Sequence, residues 1–454
     1  MSMASFRLLF HCLVIFSCCW TKLSISEARK ATNSHPQLAQ NTLPHPASIC
    51  TDPVKGKRKG LRITHRYGPC TPIGQSNLSL NYHEMLVQDQ YRVSSINSIK
   101  SNKYSLDDIL EEKARLPVSG RSIGAGNYVV TVGLGTPKQT LNLIFDTGSE
   151  VTWVRCLPCS GNCAQQQGSI FNPLKSSTFS NATCTTSKCD YSITYLDKSY
   201  SEGYYGRDTL TITDSDTFPS YAFGCGLNNS DSFGTADGVV GLGQSGGLSL
   251  ISQTASNFAQ IFCYCLPTVD RSSGYLLFGE EALEACQTET YTPLLRDPNR
   301  PSLYFVNLLG IQIGSQRLSI SSGRLGTIMD SGTVITRLPS SVFAALRSAF
   351  QASMSKYPVA PPVKPLLETC YNLDGYGNVT IPTMVLNFLR VNVKLDPSAV
   401  VWRENGNSQV CLAFAPNKDA SDLIIIGNHQ QRSLSVLYDI QENKVEFGNG
   451  SCGN

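Results

Sequence analysis

The chain runs to 454 residues, enough for two or three domains, and its 41% hydrophobic and 16% charged residues are those of an ordinary folded protein. The formal net charge of +3 hides an asymmetry: residues 29–115 carry 13 Lys and Arg against 7 Asp and Glu (+6), whereas residues 116–454 carry 22 against 26 (−4). An acidic body has little affinity for phosphate, which argues against nucleic acid as its partner, and the basic leader has the charge of a detachable, electrostatically held cover.

The N-terminal MSMASFRLLFHCLVIFSCCW sets Arg7 before an apolar core at residues 8–20, followed by the small residues Ser24, Ser26 and Ala28. This is the pattern of a secretory signal peptide, assigned to residues 1–26. The core is too short to span a bilayer comfortably and no other stretch is long enough, so a secreted chain without a membrane anchor is expected, with the vacuole as the alternative destination. Residues 27–120 read as a propeptide. Residues 29–60 lack an apolar period and read as a loose linker. Residues 61–70 (LRITHRYGPC) read as a strand entering a turn, and residues 82–100 carry apolar side chains at helical spacing. Residues 116–125 (LPVSGRSIGA) read as an exposed hinge where processing takes place.

From residue 126 short strands alternate with Gly-containing turns, so the bulk of the chain is expected to be β. The GLGTP turn at residues 133–137 lacks the third Gly and following helix of a dinucleotide loop and reads as a hairpin. Seventeen cysteines, twelve of them after residue 116, fit an oxidising compartment. The spacing of Cys156, Cys159 and Cys163 would suit zinc in a cytosolic protein, but behind a signal peptide it favours disulfides, and neither metal nor cofactor is expected. Sequons at Asn77, Asn181, Asn228, Asn378 and Asn449 agree with secretion. Residues 248–257 and 340–355 read as helices, the second with Ser340 as N-cap.

One phrase occurs twice. Residues 141–154 read LNLIFDTGSEVTWV and residues 325–338 read LGTIMDSGTVITRL, with Asp146 and Asp330 lying 184 positions apart. Each copy is an apolar run ending in Asp, then a hydroxyl residue, Gly and a second hydroxyl residue. The second part of each repeat is an apolar run before Gly, DGVVGLG at residues 237–243 and DLIIIG at residues 422–427. A repeat at half-chain distance predicts two similar lobes, each donating one carboxylate at the end of a buried strand. Gly148 and Gly332 allow a tight turn, and Thr147, Ser149, Ser331 and Thr333 supply hydroxyls to fix the two loops. Two carboxylates side by side cannot both ionise easily, so one serves as general base and the other as general acid. A competing G-x-S-x-G match at residues 243–247 would need His429 as its base and a strand–turn–helix in a parallel sheet, which short β-strands do not supply.

These residues resemble the pepsin-type aspartic endopeptidases, in particular the cysteine-rich plant branch of nepenthesins and the chloroplast-nucleoid DNA-binding protease. The resemblance runs from about residue 61 to the C terminus and includes His65-Arg66-x-Gly68-Pro69-Cys70. Such enzymes are the standard example of the shared-proton dyad. The resemblance implies a mostly β, bilobal pepsin-like fold with pseudo-twofold-related lobes at residues 121–290 and 291–454 and the catalytic cleft between them. It implies that Asp146 and Asp330 hold the water, that Thr147 and Ser331 brace the loops, and that Ser149 and Thr333 hydrogen-bond the carboxylates. Tyr195 stands where the family has its flap tyrosine and Trp153 where it has the tryptophan behind it, although Leu196 replaces the usual Gly. Implied disulfides are Cys156–Cys159, Cys163–Cys225, Cys184–Cys189, Cys370–Cys411 and Cys265–Cys452, or Cys263 in place of Cys265. The cysteine left over pairs with Cys286. The expected function is a secreted, monomeric aspartic endopeptidase acting on polypeptides at acidic pH. The alternative is a pepsin-like inhibitor or binding protein without a working dyad.

Overall fold

A computed structural model describes residue 50 and residues 59–452, apart from residues 74–80, 99–115, 120–126, 161–167, 185–186, 195–198, 231–232, 245–246, 269–272, 322–325, 405–407 and 451. The structure is mostly β. Its largest sheet has fifteen strands and runs from Tyr291–Pro293 at one edge to Leu116–Ser119 at the other.

The two copies of the sequence repeat fold alike. Around the first, Gln139–Asp146, Gly238–Gly241, Trp153–Arg155 and Thr217–Asn229 lie in that order with parallel, antiparallel and parallel pairings. Around the second, Thr327–Met329, Ile424–Ile426, Thr336–Leu338 and Phe414–Pro416 repeat the order and the senses. The apolar runs are buried because each is an inner strand: Thr327–Met329 and Ile424–Ile426 bury every residue. The first pair is in register at Gly241 and Asp146, so the second half of each repeat lies beside the strand that delivers the carboxylate.

Part of the segment expected from sequence to be a leader is built into this core. Gly60–His65 pairs antiparallel with Gly274–Phe278 on one side and Tyr128–Leu134 on the other, and Ile63 is wholly buried. A bridge from Cys50 to Cys70 ties the end of the linker to the turn after this strand. Residues 116–119, in the segment expected to be an exposed hinge, form a strand paired parallel with Asp190–Thr194. The 133–137 segment is a hairpin between Tyr128–Leu134 and Gln139–Asp146. Residues 248–257 hold two short helices, Leu250–Gln253 and Ala255–Phe258. The long helix spans Ser340–Ser353, and here a correction is needed: Pro339 is the N-cap, while the Ser340 hydroxyl donates to the Asn417 carbonyl.

Cys156 bonds to Cys225, which corrects both Cys156–Cys159 and Cys163–Cys225. The physical reason is strand pairing: Trp153–Arg155 runs parallel with Thr217–Asn229, Val154 sits opposite Cys225, and the Cys156 amide donates to the Gly226 carbonyl, so the two sulfurs face one another. Cys159 and Cys189 are also oxidised, while Cys163 and the Cys184 side chain lie outside the described residues. The remaining bridges are Cys263–Cys286, Cys265–Cys452 and Cys370–Cys411. The Cys265–Cys452 bridge closes a separation of 187 residues. Replacing both of its cysteines by Ala is expected to cost about 2–4 kcal/mol in chemical denaturation, since a long loop regains its freedom in the unfolded chain. An unchanged midpoint would refute this.

Candidate active site

Asp146 ends the strand Gln139–Asp146 and Asp330 directly follows Thr327–Met329; both are fully buried. Each carboxylate is held by its own loop. The Gly148 amide donates to Asp146 Oδ1 at 3.0 Å and the Ser149 hydroxyl to Asp146 Oδ2. In the other lobe the Gly332 amide donates to Asp330 Oδ1 at 3.4 Å and the Thr333 hydroxyl to Asp330 Oδ2 at 2.6 Å. The loops also hold each other: Ser331 Oγ accepts from the Thr147 amide and hydroxyl, both at 3.1 Å, and Thr147 Oγ1 accepts from the Ser331 amide at 2.9 Å. Residues 184 apart in the chain thus meet as near twofold-related partners.

Between the carboxylates lies Arg92, from the segment expected to be a leader. The helix Tyr82–Ser98 buries Met85, Leu86, Val93 and Ile96, which pack against residues including Val334, Ile335, Trp402, Phe305 and Ile425. Asp89 and Arg92 project from the same face. Arg92 donates from Nη1 and Nη2 to Asp146 at 2.9 and 2.8 Å, and from Nε and Nη2 to Asp330 at 3.0 and 2.6 Å. One guanidinium therefore takes both carboxylates as two forks, all three side chains wholly excluded from water. Burial works against the guanidinium charge, but Asp146 and Asp330 outweigh it and hold the Arg92 proton more tightly than usual.

Close approach explains both glycines. A Cβ at Gly148 would lie 2.2 Å from Arg92 Nη2, and one at Gly332 would lie 2.6 Å from the same atom and 2.8 Å from Asp146 Oδ1. Gly332→Ala is accordingly expected to loosen the leader helix and to lower any dyad-dependent activity by at least about tenfold, since displacements near 1 Å cost that much or more. Wild-type turnover and wild-type leader release in the variant would contradict the steric argument.

One turn before Arg92, Asp89 accepts from the amides of Val334 and Ile335 at 2.5 and 3.3 Å and from Arg337 Nη2 at 2.8 Å. Burial raises the Asp89 pKa, opposed by Arg337 and the two amides. Neither Asp89 nor Arg92 was assigned a role from sequence. A signal was present: charged residues at positions 89 and 92 fall inside the apolar stripe formed by 85, 86, 93 and 96, where a solvated helix would leave apolar side chains.

Other candidates fall outside the cluster. Trp153 is buried, its ring edge-on to Phe233 at 4.9 Å. Tyr195, Leu196 and Ser245 lie outside the described residues. His429 is buried with Nε2 at 3.0 Å from the Val401 carbonyl oxygen. Of the sequon residues, Asn181, Asn378 and Asn449 are exposed, Asn228 is half-buried, and Asn77 is not described. Among the described residues there is no group of side chains able to hold a metal ion, and no helix is long and apolar enough to cross a membrane.

Family models described as xylanase inhibitor N-terminal and xylanase inhibitor C-terminal match residues 128–280 and 303–449. An aspartyl protease family protein of Arabidopsis thaliana is 39% identical over 97% of this chain and 98% of its own. The chain belongs to the plant pepsin-type aspartic protease family. Another member, nepenthesin-1 of Nepenthes gracilis, described as an aspartic proteinase, is 32% identical over 73% of this chain and 79% of its own. Among solved structures, conglutin gamma, a basic 7S globulin from lupine seeds, shares the pepsin-like fold with a TM-score of 0.58 at 19% identity, covering 72% of this chain and 94% of that one.

Proposed function

We propose that the chain is the precursor of a secreted aspartic endopeptidase, with Asp146 and Asp330 as its acid–base pair and residues 27–120 as an inhibitory leader. The observation that carries this reading is the convergence of two carboxylates, each held in its own loop of the same build, on one guanidinium. With Arg92 withdrawn, one carboxyl holds a proton and the other is ionised. The ionised one takes a proton from a water that attacks the peptide carbonyl, and the protonated one supports the developing oxyanion and then serves the leaving amine. Secretion rests on the signal-like N terminus and the disulfides. Asp146 ends the first catalytic strand and residues 190–194 lead towards Tyr195, the proposed flap residue over the substrate.

Acid is the proposed trigger, and His65 in the leader strand has the sign for it. Its pKa is lowered well below the ordinary 6.5, first by burial and then by Arg432 and Arg66. Its Nδ1 faces the Tyr67 amide, the Tyr128 ring stands edge-on at 5.3 Å, and Nε2 is buried without a partner. A histidine neutral when docked takes up a proton once released, so its contribution to docking is complete above pH 6.5 and is lost as pH falls below that value. Asp89, with its raised pKa, acts in the opposite sense and favours docking in acid. His65→Gln is expected to shift leader release to lower pH, read by limited proteolysis of the leader across a pH series. An unmoved midpoint removes His65 as the trigger.

Acid-dependent, pepstatin-sensitive cleavage of a denatured protein by the full-length chain tests the reading, with absence of cleavage after acid treatment counting against it. The inhibitor reading rests on the description of the family models. It requires tight binding to a hydrolase by a chain that cuts nothing.

A further inference from the structure

We infer that Arg337 and the amides of Val334 and Ile335 form a carboxylate-binding pocket in the substrate cleft, filled by Asp89 in the precursor and by an Asp or Glu side chain of the peptide in the uncovered enzyme. The inference deepens the endopeptidase reading and rests on it. Val334, Ile335 and Arg337 follow the catalytic loop at residues 330–333, and Thr336–Leu338 is an inner strand of the five-stranded sheet. Asp89 is fully buried there, with both carboxylate oxygens engaged.

When the leader helix leaves, it takes this carboxylate with it. Arg337 is 1% exposed in the precursor, and besides Asp89 it donates from Nη1 to its neighbour's carbonyl, Ile335 O, while Nε has no partner. A guanidinium and two amide donors that have lost their acceptor form a site of positive potential, best refilled by an anion of the same shape. Its position identifies the source. Asp89 lies three residues before Arg92 on one helix face, a Cβ separation of about 5–6 Å. In the body the pocket amides belong to Val334 and Ile335, four and five residues after Asp330, so the pocket adjoins the dyad along the chain. An extended peptide lying over Asp146 and Asp330 thus carries a side chain close to residues 334–337. Asp89 and Arg92 accordingly occupy two adjoining parts of one cleft, the acidic side-chain pocket and the reacting centre.

A carboxamide fits the same space but turns an N–H₂ group or a weaker acceptor towards the guanidinium, so the pocket distinguishes Asp from Asn by charge. The acid-treated full-length chain is offered peptides identical except for Asp, Asn or Leu at one position, scanned along both sides of a single cleavable bond. At one position the Asp peptide is expected to exceed the Asn peptide by roughly ten- to hundredfold in kcat/KM, the range of a charge-assisted hydrogen bond. Arg337→Gln should bring the ratio close to one, and Arg337→Lys, which keeps the charge, should retain part of it. Equal rates for Asp and Asn peptides at every position, or a preference that survives Arg337→Gln, would overturn the pocket. If the treated chain cleaves none of the peptides, the endopeptidase reading falls by itself. Calorimetry with the same peptides then decides the pocket: tighter binding of Asp than Asn supports it, and equal binding overturns it.

Discussion

Arg92→Met is expected to let the full-length chain release its leader, and cleave substrate, at a pH where the wild type does neither. The variant keeps the length and apolar stem of the side chain but removes the charge that joins the two lobes' carboxylates. Breaking a buried ion pair from one side costs about 3–5 kcal/mol, because the partners remain desolvated and uncompensated. That corresponds to a rise of roughly a hundred- to a thousandfold or more in the open fraction. Met85, Leu86, Val93 and Ile96 still hold the helix to the body, so the expected result is early opening rather than unfolding. Arg92→Lys should fall between, since one ammonium cannot present two forks. Activity against a short peptide at neutral pH, with leader cleavage followed by mass spectrometry, reads both effects. A variant as silent as the wild type would mean that the apolar face alone closes the cleft.

Asp146→Asn and Asp330→Asn should each reduce cleavage by at least about a thousandfold, the upper range for general acid–base catalysis. The loops around both residues make the same contacts: a glycine amide to one oxygen, a hydroxyl to the other, and the Thr147–Ser331 brace between them. An amide fits each space, so the loss should appear in kcat with thermal unfolding little changed in the chain freed of its leader. In the precursor the same substitutions weaken Arg92's grip, and the leader should be more accessible to an added protease although the variant cannot remove it. Substantial residual activity in either variant would refute the two-carboxylate mechanism.

The repeated Asp-hydroxyl-Gly phrase made the two lobes legible, because each copy carries its own turn chemistry inside an apolar strand. The order of the four strands around each copy was not legible: Gly238–Gly241 lies between Gln139–Asp146 and Trp153–Arg155, and that depends on pairings nearly a hundred residues apart. The Cys156–Cys225 bridge was misread for the same reason, since spacing along the chain carries no information about which strand runs beside Trp153–Arg155. The leader helix was visible from its period, but its role was not. Arg92 acquires meaning only when residues 54 and 238 positions away converge on it. The leader strand was legible as a strand, while its place between Gly274–Phe278 and Tyr128–Leu134 required the folded sheet. The basic leader and acidic body suggested a diffuse electrostatic cover. Among the described residues the charged contacts include one buried guanidinium on two carboxylates and Asp89 on Arg337.

The most direct test shifts the purified full-length chain from neutral to acid pH and follows leader contact and peptide cleavage together. Cross-linking between the leader helix and the body, quantified by mass spectrometry, reports whether Arg92 still sits between Asp146 and Asp330. Cleavage should appear only as that contact is lost, and Asp146→Asn should lose the contact without gaining cleavage. Full cleavage by a chain whose leader helix remains cross-linked over the dyad would contradict the account.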